Sequence, residues 1–168
     1  QPAVRVAFTA HSIPESMASA CDYVQQLTES CRLVSEAAGI ARDQWKLVFQ
    51  SRSGPPQILW LAPDINDHLR QLKSTNVQDV VVMPIGFLSD HMEVMYDLDD
   101  EAQETCQKIG LNMVRSATVG THPRFVGMIR KLITERLGGN NRESLGRFPP
   151  NHDVCPLDCC PAPTRRLN

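Results

Sequence analysis

The chain has 168 residues, 42% of them hydrophobic and 21% charged, with a formal net charge of −2. That is enough material for one compact domain with its own core, and no apolar run approaches the roughly 18–20 residues of an integral membrane span. A near-balanced charge without a basic block argues against nucleic acid as the main partner.

The chain opens at Gln1-Pro2, without an initiator Met or a signal peptide, and enters a strand-like run at once. It therefore reads as a piece of something longer. Residues 4–10 are apolar and β-branched enough for a first strand. Residues 16–38 read as a helix, because Val24, Leu27, Cys31, Val34 and Ala38 recur at helical spacing and Gly39 offers a stop. Residues 45–50 predict a second strand. A Gly54-Pro55-Pro56 loop follows, then a helix near 64–73. Residues 80–85 form a continuous apolar run, as in a strand buried on both faces of a parallel sheet. Residues 91–109 predict a third helix, with Met95, Leu98, Ala102, Cys106 and Ile109 as its apolar stripe. Residues 111–116 give a weaker fourth strand and 123–137 a fourth helix, closed by Gly138-Gly139.

The order βαβαβαβα implies an α/β fold, a parallel sheet with helices on both faces. Residues 1–138 form that lobe. Residues 139–168 are an irregular, Cys-rich tail that lacks the apolar periodicity for a core and is either disordered or ordered by a metal. Cys155, Cys159 and Cys160 crowd into this tail, whereas Cys21, Cys31 and Cys106 lie singly in the body. In an acidic, signal-free chain of cytoplasmic type, clustered cysteines bind metal more often than they form disulfides.

Ligands of open α/β sheets bind beyond the carboxyl ends of the strands. Those ends carry His11-Ser12, then Gln50-Ser51-Arg52-Ser53, then Ser89-Asp90-His91 with Glu93, then Thr118, Thr121 and His122. His11 and Glu93 are the sharpest pair: an imidazole and a carboxylate can each take a proton or hold a metal. Asp90 reads equally well as the N-cap of the third helix. Glu93, Asp97, Asp100, Glu101 and Glu104 recur every three or four residues along that helix. By pattern alone this is a solvated acidic face, with a relay for cations or protons as the alternative. The chain has no G-x-G-x-x-G, no phosphate-binding G-x-x-x-x-G-K-[ST] and no G-x-S-x-G elbow. Dinucleotide, ATP and serine-hydrolase chemistry therefore lose support.

Three segments together resemble the ferrochelatase signatures. They are Phe8-Thr9-Ala10-His11-Ser12-Ile13-Pro14, then Gln50-Ser51-Arg52-Ser53-Gly54-Pro55-Pro56 with Trp60-Leu61, and then the run from Pro84 through Asp90-His91-Met92-Glu93 to Asp99. The resemblance implies a lyase of haem biosynthesis that inserts Fe²⁺ into protoporphyrin IX or coproporphyrin III, with this chain as the C-terminal half of a two-lobed enzyme. Its partners would be porphyrin, ferrous iron and the missing N-terminal half; a homodimer and a peripheral association with the membrane stay open. By the same resemblance His11 and Glu93 are catalytic and meet the iron. Asp90 and His91 are the hydrogen-bonded residues that hold them, and Ser51, Trp60 and Phe87 border the porphyrin. Glu93, Asp97 and Glu101 match a metal or proton route on a helix that often carries a π-bulge. Some members carry a [2Fe-2S] cluster, which here implies Cys21, Cys155, Cys159 and Cys160 as ligands, with a zinc site using His152 as the rival. Cys31 and Cys106 fit buried helix stripes, and Cys21 also lies near one. A chelatase for another tetrapyrrole and metal, and a non-catalytic iron–sulfur or haem-binding module, are the alternatives.

Overall fold

A computed structural model describes residues 4–138, 142–157 and 159. Four parallel strands form one sheet in the order β2-β1-β3-β4. They are β1 (Arg5–His11), β2 (Trp45–Gln50), β3 (Asp79–Met83) and β4 (Asn112–Arg115). The register pairs His11 with Gln50 at the carboxyl end of β1 and β2. It pairs Phe8 with Met83 across β1 and β3, so β3 stops short of His11 and leaves room for a loop there.

Two layers of helix sandwich the sheet. On one face Ala7, Val48, Val80 and Val82 pack against Ile65, Leu69 and Leu72 of helix α3 (Ile65–Ser74). The same cluster takes Val94, Leu98, Ala102 and Cys106 from the long acidic helix. On the other face Val6 and Phe8 meet Cys31 of α2 (Tyr23–Ala37) and Trp45. Phe8 and Trp45 pack edge-to-face with centroids 5.6 Å apart. Cys31 and Cys106 are fully buried, and burial pushes their thiols up to about 12 and about 11. Both behave as small core hydrophobes.

The expected helix over 16–38 is interrupted. One turn, α1 (Glu15–Ala18), is tied to the 52–64 loop by the Glu15 amide donating to Leu59 O at 2.9 Å. Residues 19–22 then turn, with the Ser19 hydroxyl on Ser16 O, before α2 begins. A short polar side chain offers the backbone an alternative to the helical ladder, so the break falls at this Ser-Ala-Cys-Asp stretch. The break leaves Cys21 exposed, outside the α2 stripe, its thiol donating to Met17 O at 3.2 Å.

The acidic helix runs through α4 (Met92–Val94), a π-helical stretch (Met95–Ala102) and α5 (Gln103–Ile109). Gly110 ends it in the left-handed region at φ +68, a conformation glycine adopts without a Cβ penalty. Helix α6 (Pro123–Arg136) buries none of its residues, and Val126, Ile129 and Ile133 are exposed along it. Among the described residues no helix is long and apolar enough to cross a membrane.

Candidate active site

The carboxyl ends of β1 and β2 are locked together at their last residues. The Ser12 amide donates to Gln50 O at 2.7 Å, and the Ser12 hydroxyl donates to Leu61 O at 2.9 Å. Ser12 is buried, so these bonds satisfy groups that would otherwise be costly to leave unpaired. Tyr23 of α2 donates its hydroxyl to His11 O at 2.9 Å. The backbone of His11 is thereby held from two sides while its ring is left partly open.

The loop after β3 crosses directly over Ala10. The Gly86 amide donates to Thr9 O at 3.0 Å, and a Cβ at Gly86 would lie 2.7 Å from the Ala10 Cβ. Only glycine permits this approach. The loop that crosses here leads to Asp90, His91 and Glu93, and brings Glu93 to the edge where His11 stands.

His11 Nε2 lies 3.3 Å from Glu93 Oε1, with the two side chains 36% and 47% exposed. His11 Nδ1 lies 2.5 Å from Ser12 O. A carbonyl oxygen only accepts, which assigns a proton to Nδ1. Nε2 then faces the carboxylate as the nitrogen free to gain or give a proton. The pair can exchange one proton between imidazole and carboxylate, and both groups remain open to a molecule outside the lobe.

The π-helical stretch reorganises the acidic residues. With i→i+5 bonding each turn is wider than in an α-helix, so carboxylates that would share one stripe are re-aimed. Asp97 turns toward β2, where its Oδ2 accepts from the Ser51 hydroxyl and, at 3.1 Å, from Gln50 Nε2. Ser51 sits at φ +61, a left-handed conformation unusual for a serine and characteristic of strained functional turns. Gln50 Oε1 is buried without a hydrogen-bond partner in the described structure. Asp97 and Glu101 border an open depression of about 300 Å³ with Gln50, Ser51, Arg52 and Asn66. Asp100 and Glu104 instead line a second depression of about 470 Å³ with Asp99 and Gln107. Glu101 borders both depressions and Glu93 faces His11, so the five carboxylates do not form one line.

Asp90 and His91 take other partners than His11 and Glu93 among the described residues. Asp90 pairs with Arg115 Nη1 of β4 at 3.0 Å, and that guanidinium also grips Asp99 at 2.5 and 2.9 Å. His91 packs edge-on to Phe87 with centroids 5.5 Å apart. His91, not Asp90, is the residue that precedes α4, and it makes no side-chain cap bond. Arg115 was not singled out in the sequence; its signal there is only a lone cation at the end of the fourth strand. Trp60 is half-buried beneath Gly54, where an added Cβ would lie 2.8 Å from the ring, and its neighbour Leu61 donates its amide to Ile13 O at 3.0 Å. His122 accepts from the Arg124 amide at 3.2 Å and so caps α6.

The tail returns to the lobe through Glu29 of α2. Its Oε1 accepts from the Arg147 amide at 2.8 Å while Arg32 grips both of its oxygens. The Arg32 hydrogen bonds hold the Glu29 carboxyl down at about 2. Further along, the side chains of His152, Cys155 and Cys159 offer ligand atoms within 4.8 Å of one another. Two thiolates and an imidazole suit a thiophilic metal centre. Cys21 is not part of this group, and Cys160 lies outside the described residues.

Comparison with known proteins matches the sequence to one family. The ferrochelatase family model aligns with residues 1–137. A ferrochelatase of Rhodopirellula baltica is 52% identical over 164 residues, covering 96% of this chain and 46% of the relative. A coproporphyrin III ferrochelatase of Streptomyces griseus is 47% identical over 175 residues, covering 94% of this chain and 47% of its own. The chain therefore spans about half the length of these relatives. Among solved structures, a cobalamin biosynthesis CbiX protein from Marinobacter aquaeolei shares the fold at TM-score 0.53 and 15% identity, covering 80% of this chain and 97% of its own. The chain belongs to the ferrochelatase family.

Proposed function

We propose that this chain is the C-terminal, catalytic half of an enzyme that inserts Fe²⁺ into a porphyrin, protoporphyrin IX or coproporphyrin III. The observation that carries the reading is the His11–Glu93 pair at 3.3 Å on the open carboxyl edge of the sheet. Metallation removes two pyrrole protons as the ferrous ion sheds water and enters the ring. His11 Nε2 accepts a pyrrole proton, because its other nitrogen is already committed to Ser12 O. Glu93 faces that nitrogen and takes the proton onward. Asp97 and Glu101 offer oxygen donors beside Ser51 for the incoming cation, which carboxylates hold without trapping it as thiolates would. Phe87, Trp60 and Ser51 border the porphyrin. Asp90 and His91 act on the pair through the loop they belong to, braced by Arg115 and Phe87.

The site so described is one wall of a cleft. The other wall comes from the N-terminal half that the relatives' greater length implies, and the exposed apolar residues of α6 are the surface that meets it. The tail holds a thiophilic metal group of the iron–sulfur class implied by the resemblance, with Cys155 and Cys159 as the ligands assembled together and Cys160 as a further one implied; Cys21 stands apart from them. Such a group fastens a tail that has little apolar burial: Leu145, Val154 and Leu157 are all exposed.

The test is a fluorimetric metallation assay under anaerobic conditions, with each porphyrin, on this chain alone and joined to an N-terminal half. Quenching of porphyrin fluorescence is expected with the two halves together. Failure of the joined protein to metallate either porphyrin would reject the reading in favour of a binding module.

A further inference from the structure

We propose that His152 is a ligand of the tail's metal group, together with Cys155 and Cys159. The inference rests on the reading above that the tail binds a thiophilic metal, and it changes which residues do so. A four-cysteine set draws Cys21 from the turn before α2, yet Cys21 is absent from the assembled group, and its thiol is engaged with Met17 O. Among the described residues, the imidazole of His152 lies beside the two thiols.

The surrounding backbone is arranged to bring these three side chains together. Asp153, next to His152, is clamped by the guanidiniums of Arg136 at the end of α6 and of Arg142. Arg142 also donates to Asn151 O at 3.4 Å. Those contacts fix the start of the loop on the lobe. The Cys159 amide then donates to Pro156 O at 3.2 Å, a turn that folds Cys159 back toward Cys155. The loop is anchored at its beginning and reversed at its end, so His152, Cys155 and Cys159 converge within one short stretch of chain. The spacing His-x₂-Cys-x₃-Cys keeps all three ligands local, so the metal would fasten a stretch already anchored on the lobe. Thiolate and imidazole together serve zinc and iron–sulfur centres alike, and the metal bound distinguishes them.

The experiment measures iron, zinc and acid-labile sulfide in anaerobically purified chain, with absorption spectra, for the unaltered protein and for His152→Ala, His152→Cys, Cys155→Ser and Cys21→Ser. His152→Ala and Cys155→Ser are expected to lower metal content about tenfold or more. Cys21→Ser is expected to leave it unchanged. His152→Cys is expected to restore metal with an altered absorption spectrum, because a thiolate replaces a nitrogen; a merely structural histidine would not move the spectrum. Full loading of His152→Ala alongside loss of metal in Cys21→Ser would overturn the inference while leaving a metal-binding tail. Unaltered protein free of iron and zinc would instead overturn the metal-binding reading itself.

Discussion

The backbone of Gly86 lies against Ala10 so closely that a single added carbon would sit 2.7 Å from the Ala10 Cβ. This contact ties the loop bearing Asp90, His91 and Glu93 to the strand end bearing His11. The contact brings the two backbones together, and the rotamers of His11 and Glu93 then set the 3.3 Å between their side chains.

Gly86→Ala is accordingly expected to destabilise the protein by about 1–3 kcal/mol through overpacking, and to lower metallation further by moving Glu93. Gly127, in the middle of α6, has nothing within 4 Å of an added Cβ. Gly127→Ala is expected to raise stability by about 0.5–1 kcal/mol through reduced backbone freedom. Urea unfolding of the two variants measures both. Equal effects at the two positions would contradict the close approach.

Ser51 combines a left-handed backbone at φ +61 with a hydroxyl bonded to the Asp97 carboxylate. Ser51→Ala loses the bond and keeps the strain, for a cost of about 2 kcal/mol. Ser51→Gly loses the bond and relieves the strain, so it is expected to be about 1 kcal/mol less destabilising than the alanine variant. Unfolding midpoints at constant m-value check the order. A glycine variant as unstable as the alanine would show that the turn carries no strain.

His68 of α3 is almost fully buried, its Nδ1 without a hydrogen-bond partner in the described structure. Burial, with Lys46 nearby, pushes it down to about 4. The unfolded chain therefore binds a proton that the folded chain refuses between about pH 6.5 and 4. Stability should be fully present above pH 6.5 and decline by roughly 3 kcal/mol as pH falls through that window. Replacing His68 with Gln removes the titration, and the slope of unfolding free energy against pH should flatten over the same range. An unchanged slope would assign acid sensitivity to other groups.

The sheet was legible because its evidence is periodic. The run at 80–85 and the stripe of Leu98, Ala102 and Cys106 announce a strand and a helix wherever they occur, and Cys31 and Cys106 could be placed in the core from spacing alone. The signature residues likewise brought His11 and Glu93 to one edge. What stayed hidden depends on geometry that no periodicity carries. The turn before the break at 19–22 is tied through Glu15 to Leu59, 44 positions away in sequence. The turning of Asp97 toward β2, away from Asp100 and Glu104, goes with a π-helical stretch whose apolar stripe looks ordinary. Arg115 meets Asp90 and Asp99 only once β4 is paired, and Glu29 meets Arg147 across 118 positions. The resemblance joins Cys21 to the tail cysteines, whereas in the folded chain it is not grouped with Cys155 and Cys159.

The central claim is that proton transfer in metallation runs through His11 Nε2 against Glu93. Its most direct test is the single-turnover metallation rate of the two-half protein carrying His11→Ala or Glu93→Gln, followed by porphyrin fluorescence with porphyrin binding measured separately. The account predicts that both variants bind porphyrin and that each metallates about 10²–10⁴-fold more slowly. A His11→Ala protein that inserts iron at a near-normal rate would contradict it.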